Sequence, residues 1–238
     1  MANPAPRLEV IYEDNHLLAV NKPAMLPTMG VAEDKPSLLT VAKEYIKHKY
    51  QKPGNVYLGI VSRLDAPVTG VVLLARTSKA AARLSEAFRS RRVRKLYLAA
   101  IEGVPEQRAA MLEHYLRKDE RHRKMHVTNE GSADAQLARL SYRVIATGES
   151  MSLLEVELET GRKHQIRVQL AKTGHPIIGD RKYGSDLELP SGIALHAWRL
   201  KLQHPVKSEP LSLEAPIPAV WHRHTQIARL LAVSEPAD

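Results

Sequence analysis

Apolar positions along this chain follow two periods, one of strands and one of helices, and these divide it into many short strands and a few amphipathic helices. Leu8 to Tyr12 and Leu17 to Asn21 are apolar runs separated by Glu13, Asp14, Asn15 and His16, so they predict a hairpin that Lys22-Pro23 closes. A loop-like stretch from Pro27 to Pro36 leads to Ser37, a helix-capping residue. Leu38, Ala42, Tyr45 and Ile46 follow at helical spacing, with a stop near Pro53-Gly54. Val56 to Val61 predicts a strand. Gly70 to Ala75 is a continuous apolar run, the pattern of a strand covered on both faces. Thr77 or Ser78 then opens a helix that gathers Ala81, Leu84 and Phe88 on one face, and Leu96 to Ile101 predicts the next strand.

In the second half, the basic segment Arg117 to His126 predicts a loop or an exposed hairpin. Leu137 to Ile145 and Leu153 to Leu158 predict strands, the latter alternating apolar and acidic residues as a half-exposed strand does. Thr160-Gly161 turns into a helix over Lys163 to Lys172, ended by Gly174 and Pro176. Ile193 to Leu202 predicts a late strand and His222 to Ala232 a closing helix. Neighbouring strands often lack a helical crossover and no repeat is visible, which predicts an α+β fold with a mixed, mainly antiparallel central sheet. With no Gly/Ser-rich linker, the expectation is a single domain over residues 1–238.

Composition narrows the class. At 44% hydrophobic and 26% charged residues, the chain can build a packed core and is not a disordered basic tail. A formal net charge of +9 and a pI near 9.7 point to a polyanionic partner, leaving membrane surface, DNA and RNA open. The chain has no cysteine, which removes disulfides, thiolate zinc sites, thiol nucleophiles and iron–sulfur clusters. Charges interrupt the first apolar stretch, so it does not read as a signal peptide, and no uncharged apolar run reaches the ~18 residues of a membrane span. The expectation is a soluble, cytoplasmic protein. The common glycine-rich phosphate loops, the H-E-x-x-H zinc motif and the G-x-S-x-G elbow are absent. His122 and His126 have metal-ligand spacing but stand among Arg and Lys, whose charges disfavour a divalent cation, so no metal site is expected.

Two polar stretches carry candidate chemistry. Ser62-Arg63-Leu64-Asp65 lies on a loop between two predicted strands, which would place a carboxylate rigidly beside a planar donor suited to phosphate or a base; a surface salt bridge or an Asx-turn fits the same residues. Thr160 to Arg167 puts Arg162, Lys163 and Arg167 near a helix start, which suits an anion and equally a solvated basic face.

Together with their surroundings these stretches resemble the RluA-type family of RNA pseudouridine synthases over nearly the whole chain. VIYEDNHLLAVNKPAMLP resembles the family's N-terminal hairpin, and SRLDAPVTGVVLLART its catalytic segment, usually H-R-L-D-x-x-T-S-G. RKLYLAAIEG resembles its K-x-Y-x-A strand, LETGRKHQIRVQLAKTGHPIIGDRKYG its C-terminal signature, and LHAWRLKLQHP with EAPIP its closing strand and tail. The hairpin begins by about Leu8, so the resemblance is to members built of the catalytic domain alone, without an S4-like domain.

The resemblance implies that Asp65 is the catalytic aspartate, that Arg63 takes the place of the flipped uridine or holds its phosphate, and that Tyr97 stacks on the target base. It further implies that Arg167 pairs with Asp65 and that Ile166 lines the base pocket. An arginine beside an aspartate favours the ionised, nucleophilic carboxylate, and a tyrosine offers an aromatic face to a base. Arg83, Arg89, Arg91, Arg92, Arg94 and Lys95 form a basic elbow running into the Tyr97 segment. With the Arg117 to Lys124 cluster, it is expected to line a groove for ribosomal or transfer RNA; Arg91, Arg92, Arg162 and Lys163 are the substrate-binding candidates. Pseudouridine formation needs no redox change or external donor, so no cofactor is expected, and the family resemblance suggests a monomer.

Ser62, Val68 and Thr69 depart from the family's usual His, Thr and Ser. They motivate a second reading, a catalytically silent RNA-binding protein on the same fold. Asp65 and Arg167 argue against it, because a pure binder gains nothing from a carboxylate in an anion-attracting cleft. A metal-dependent nuclease would need clustered carboxylates, which the sequence lacks.

Overall fold

The computed structural model describes residues 8–32 and 35–234. Glu33 and Asp34, in the loop expected from Pro27 to Pro36, lie outside the described residues, as do 1–7 at the start of the segment read against a signal peptide. In chain order the elements are β1 (Glu9–Glu13), β2 (Leu17–Lys22), α1 (Leu38–Lys49), β3 (Gly59–Ile60), β4 (Thr69–Ala75), α2 (Ser78–Arg89), β5 (Arg94–Glu102), β6 (Ala109–Asp119), β7 (Lys124–Thr128) and β8 (Gln136–Thr147). There follow β9 (Met151–Leu158), α3 (Gln165–Lys172), a 3₁₀ turn (Arg181–Tyr183), β10 (Leu195–Gln203), β11 (Pro210–Glu214), α4 (Ala219–Arg223) and α5 (Thr225–Ser234). The fold is α+β, and the strand pairs described below all run antiparallel. The described residues group into two compact units, one within 1–93 plus 197–216 and the other within 94–196 plus 217–234.

In the first unit β1 and β2 form the predicted hairpin, with Val10 opposite Val20. Asp14 makes its turn by accepting the N–H groups of His16 and Leu17 on one oxygen, each at 2.8 Å. β2 pairs along β4, whose seven residues are all buried, as a continuous apolar run should be. Alternate residues point to opposite faces, so the two strands serve two apolar layers. Leu17 and Leu73 pack with Ala80 and Leu84 of α2, while Leu18 and Leu74 pack with Leu38, Ala42 and Ile46 of α1. Ser37 starts α1 with a reciprocal capping box to Thr40, and Thr77 caps α2. The strand expected over Val56 to Val61 pairs only at Gly59 and Ile60. β10 and β11 pair from Arg199 opposite Glu214 to Gln203 opposite Pro210.

The second unit is a sheet in the order β5, β9, β8, β6, β7. β6 and β7 form a hairpin whose tip is the basic segment, so the exposed-hairpin expectation holds there. Leu116, Met125 and Ala138 of this sheet pack against Val168 of α3. That helix starts at Gln165 rather than Lys163, because His164 takes a left-handed conformation with φ 53°. The closing helix breaks into α4 and α5 at His224, whose backbone is extended. Trp221 of α4 is fully buried, 6.0 Å from the ring of His196. Among the described residues no helix is long and apolar enough to cross a membrane.

Candidate active site

In the first unit Asp65 sits on the loop between β3 and β4, half-buried, with its own carbonyl accepting the N–H of Val68 at 3.1 Å. Two residues, Lys22 at the end of β2 and Thr28 in the segment after it, hold this loop on either side of Asp65. Thr28, 3% exposed, donates its hydroxyl to Leu64 O at 2.8 Å and accepts the Leu64 N–H at 3.1 Å. Lys22, with no exposed surface, donates its ammonium to Pro23 O and Leu26 O, each at 2.8 Å, and to Ala66 O at 3.0 Å. Those three carbonyls match the three N–H donors of an ammonium. Burial pulls the Lys22 ammonium down to about 7, against the opposing pull of the Asp65 charge. Arg63 is exposed beside Asp65.

The remaining expected site residues belong to the second unit. Tyr97 is half-buried on β5, opposite Val156 of β9. Ile166 and Arg167, on the first turn of α3, are 4% and 5% exposed. Arg167 is gripped by Asp180, with Nε donating to Oδ2 at 2.6 Å and Nη2 to Oδ1 at 2.8 Å, and its guanidinium lies 5.0 Å from the ring of Tyr183. Tyr183 is itself fixed, its hydroxyl accepting the Met125 N–H at 2.9 Å and bonding His164 Nδ1 at 2.7 Å. The Gln165 amide oxygen accepts from the Thr160 hydroxyl and the Arg162 N–H, which holds the turn ahead of the helix. Arg162 and Lys163 stay exposed at the helix start, whereas Arg167 is drawn inward by Asp180.

The basic residues divide by what they already contact. Arg91 and Arg92 are exposed, and the Arg92 side chain donates from Nε to the Ser90 hydroxyl at 2.8 Å. Arg94 forms a two-pronged pair with Glu157, and Arg89 pairs with Glu86. At the hairpin tip His122 and His126 do not share a helical face; both meet the Asp119 carboxylate, at 2.7 and 3.0 Å. The His122 hydrogen bond leads the contacts that hold that carboxyl well below the usual range. Among the described residues no group of three His, Cys, Asp or Glu is arranged to hold a metal ion.

Sequence reasoning named Asp65, Tyr97 and Arg167 but missed Lys22, Thr28, Asp180 and Tyr183. For Lys22 there was a signal, a lysine closing the buried run LLAVNK and followed at once by proline. The hydroxyl of Thr28 and the carboxylate of Asp180 each bond residues distant along the chain, a relation that no local pattern encodes.

Comparison with known proteins places the chain. The family described as RNA pseudouridylate synthase matches residues 16–172, more than half of the sequence, and the chain belongs to that family. It is 34% identical to the ribosomal large subunit pseudouridine synthase D of Xylella fastidiosa over 89% of this chain and 66% of that protein. It is also 34% identical to the tRNA pseudouridine synthase C of Pectobacterium carotovorum, over 90% of this chain and 60% of the relative. The chain therefore spans about two thirds or less of the length of these two curated relatives. Among solved structures, human RNA pseudouridylate synthase domain containing 4 matches with a TM-score of 0.76 and 27% identity, covering 97% of this chain and 95% of that one.

Proposed function

We propose that this protein isomerises uridine to pseudouridine in ribosomal or transfer RNA, with Asp65 as its catalytic carboxylate. The observation that carries the reading is Asp65 itself, in the family-matched region and on a loop tied by hydrogen bonds at both of its neighbours, Leu64 and Ala66. The names of the relatives support both RNA classes as substrates.

The reaction breaks the N1–C1′ bond, turns the uracil, and joins C5 to C1′; C5 loses its hydrogen as a proton and N1 gains one, so no electrons leave. Asp65 starts it by attacking the nucleoside or by removing a ribose proton. The base must leave its stack at a cost of a few kcal/mol, which stacking on Tyr97, worth about 1–3 kcal/mol, offsets. Arg63 fills the vacated place or holds the phosphate, and Ile166 lines the base pocket. Arg167, kept in one orientation by Asp180, acts as the partner of Asp65. Arg91, Arg92, Arg162 and Lys163 bind phosphates, as their exposure and charge suit. In this reading the chain works as one catalytic domain, as a monomer, in the cytoplasm.

The test uses unmodified transcripts of the host's large-subunit ribosomal RNA and transfer RNAs carrying tritium at uridine C5. Release of tritium to water, with pseudouridine mapped chemically at discrete positions, is the expected result. Binding without release would favour the silent RNA-binding protein, and cleavage of the transcript would favour a nuclease.

A further inference from the structure

We propose that Met25 is an RNA-contacting residue, an apolar wedge that packs on the nucleobase beside the target uridine and replaces the stacking lost when that uridine leaves its neighbours. The inference rests on the reading of Asp65 as the catalytic carboxylate and adds a substrate contact to that site.

Ala24 and Met25 form a turn whose two flanking carbonyls, those of Pro23 and Leu26, accept from the Lys22 ammonium, which also reaches Ala66 O beside Asp65. The turn is thereby fixed against the Asp65 loop. From here the chain alternates. Leu26 and Thr28 are buried, Leu26 in the apolar layer with Leu38 and Ile46, and Thr28 on the backbone of Leu64. Met25 and Met29 stay outside, 64% and 43% exposed, and Met25 is the most exposed large apolar side chain among the described residues of the first unit. Leu26 supplies the packing at this turn, while Met25 leaves most of its surface in water.

The backbone of Met25 is also unsuited to a methionine. Its φ of +63° is left-handed, a conformation that glycine adopts freely and that asparagine or aspartate tolerates. Any of those would fill a turn that served shape alone. A strained residue holding an exposed apolar side chain beside a functional loop is explained if that side chain meets a ligand. On the reading above, the ligand is an RNA whose target base must leave its stack, which strips the neighbouring base of a partner on one face. Apolar side chains, methionine among them, are inserted at such unstacked steps, and a polarizable thioether on a flexible stem adapts to whichever base it meets. Arg63, exposed in the Asp65 loop, brings the positive charge that an RNA backbone requires. Because the wedge finds its place only after unstacking, it counts in the rate of the bound complex rather than in the binding of stacked RNA.

The experiment compares Met25→Gly, Met25→Asn, Met25→Leu and Asp65→Asn in single-turnover tritium release from the C5-tritiated transcripts, with urea unfolding of each protein. Glycine and asparagine suit the left-handed backbone but remove the apolar bulk, whereas leucine keeps it. Met25→Gly and Met25→Asn are expected to unfold at or above the wild-type midpoint, since they relieve the strained position. Their rate at saturating enzyme is nevertheless expected to fall about five- to twentyfold, with half-saturation unchanged within about twofold. Met25→Leu is expected to keep the rate within about twofold of wild type. Loss of rate in a protein at least as stable as wild type does not come from a damaged fold. Wild-type rates in Met25→Gly and Met25→Asn beside an inactive Asp65→Asn would overturn the wedge. So would a change confined to half-saturation, or a loss in Met25→Leu as deep as in Met25→Gly. Full activity in Asp65→Asn would instead remove the reading of Asp65 on which the wedge stands.

Discussion

Asp180 holds Arg167 edge-on through two parallel hydrogen bonds, and both side chains are buried, at 1% and 5% exposure. A paired guanidinium of this kind cannot turn about its own axis without breaking both bonds, so the pair fixes a plane as well as a position. Removing one partner strips the other, buried, charge of both hydrogen bonds of the pair. Asp180→Ala is expected to cost about 3–5 kcal/mol of stability. Arg167→Lys keeps the charge but loses the fork, and is expected to lower activity more than stability. Urea unfolding and tritium release, run on both variants, check the split.

Gly70 tests how closely the Asp65 loop joins the sheet. Its φ of +112° lies where side chains are strained, and a Cβ there would fall 2.2 Å from the carbonyl oxygen of Ala197. Either the backbone of β4 or that of β10 must move. Gly70→Ala is expected to destabilise the protein by more than about 2 kcal/mol, read from the urea midpoint, whereas Gly54→Ala, with open space around it, stays within about 0.5 kcal/mol.

Asp14 carries a pH dependence. Burial alone would raise its carboxyl, but the N–H groups of His16 and Leu17, the Tyr12 hydroxyl and Lys207 outweigh it and hold the group well below its usual range. Because the folded protein binds this proton less tightly than the unfolded chain, the stabilisation is complete above the ordinary aspartate value of about 3.9 and is lost as pH falls through the lower, folded value. Asp14→Asn is expected to lose about 1–3 kcal/mol at pH 7, with the gap from wild type closing in acid. Thermal unfolding from pH 7 down to pH 3 reads it.

Arg91 and Arg92 test the RNA surface. Replacing both with Ser is expected to weaken transcript binding and to reduce the slope of log affinity against log salt by about one to two. Filter binding at several salt concentrations measures this, and an unchanged slope would show that these arginines meet no phosphate.

Local patterns carried the fold a long way. The hairpin of β1 and β2, the buried β4, and the helices behind Ser37 and Thr77 were all legible, because each depends on neighbours in sequence. β6 and β11 escaped notice. β6 is exposed along much of its length, so its apolar pattern is weak, and β11 is held by its pairing with β10. The shortened β3 and the late start of α3 show the same limit, since pairing partners and the left-handed His164 override local propensity. At the candidate site the sequence named the groups expected to act on RNA and passed over those that hold them. Lys22, Thr28 and Asp180 work through bonds to backbone or side chains elsewhere in the chain, and nothing in their own surroundings announces the partner.

The central claim is that Asp65 performs the isomerisation, and the most direct measurement is tritium release from C5-tritiated ribosomal and transfer RNA transcripts by wild type and Asp65→Asn side by side. Wild type is expected to release tritium and leave pseudouridine at discrete positions, while Asp65→Asn binds the same transcripts and releases none. Equal release by the two proteins would contradict the account.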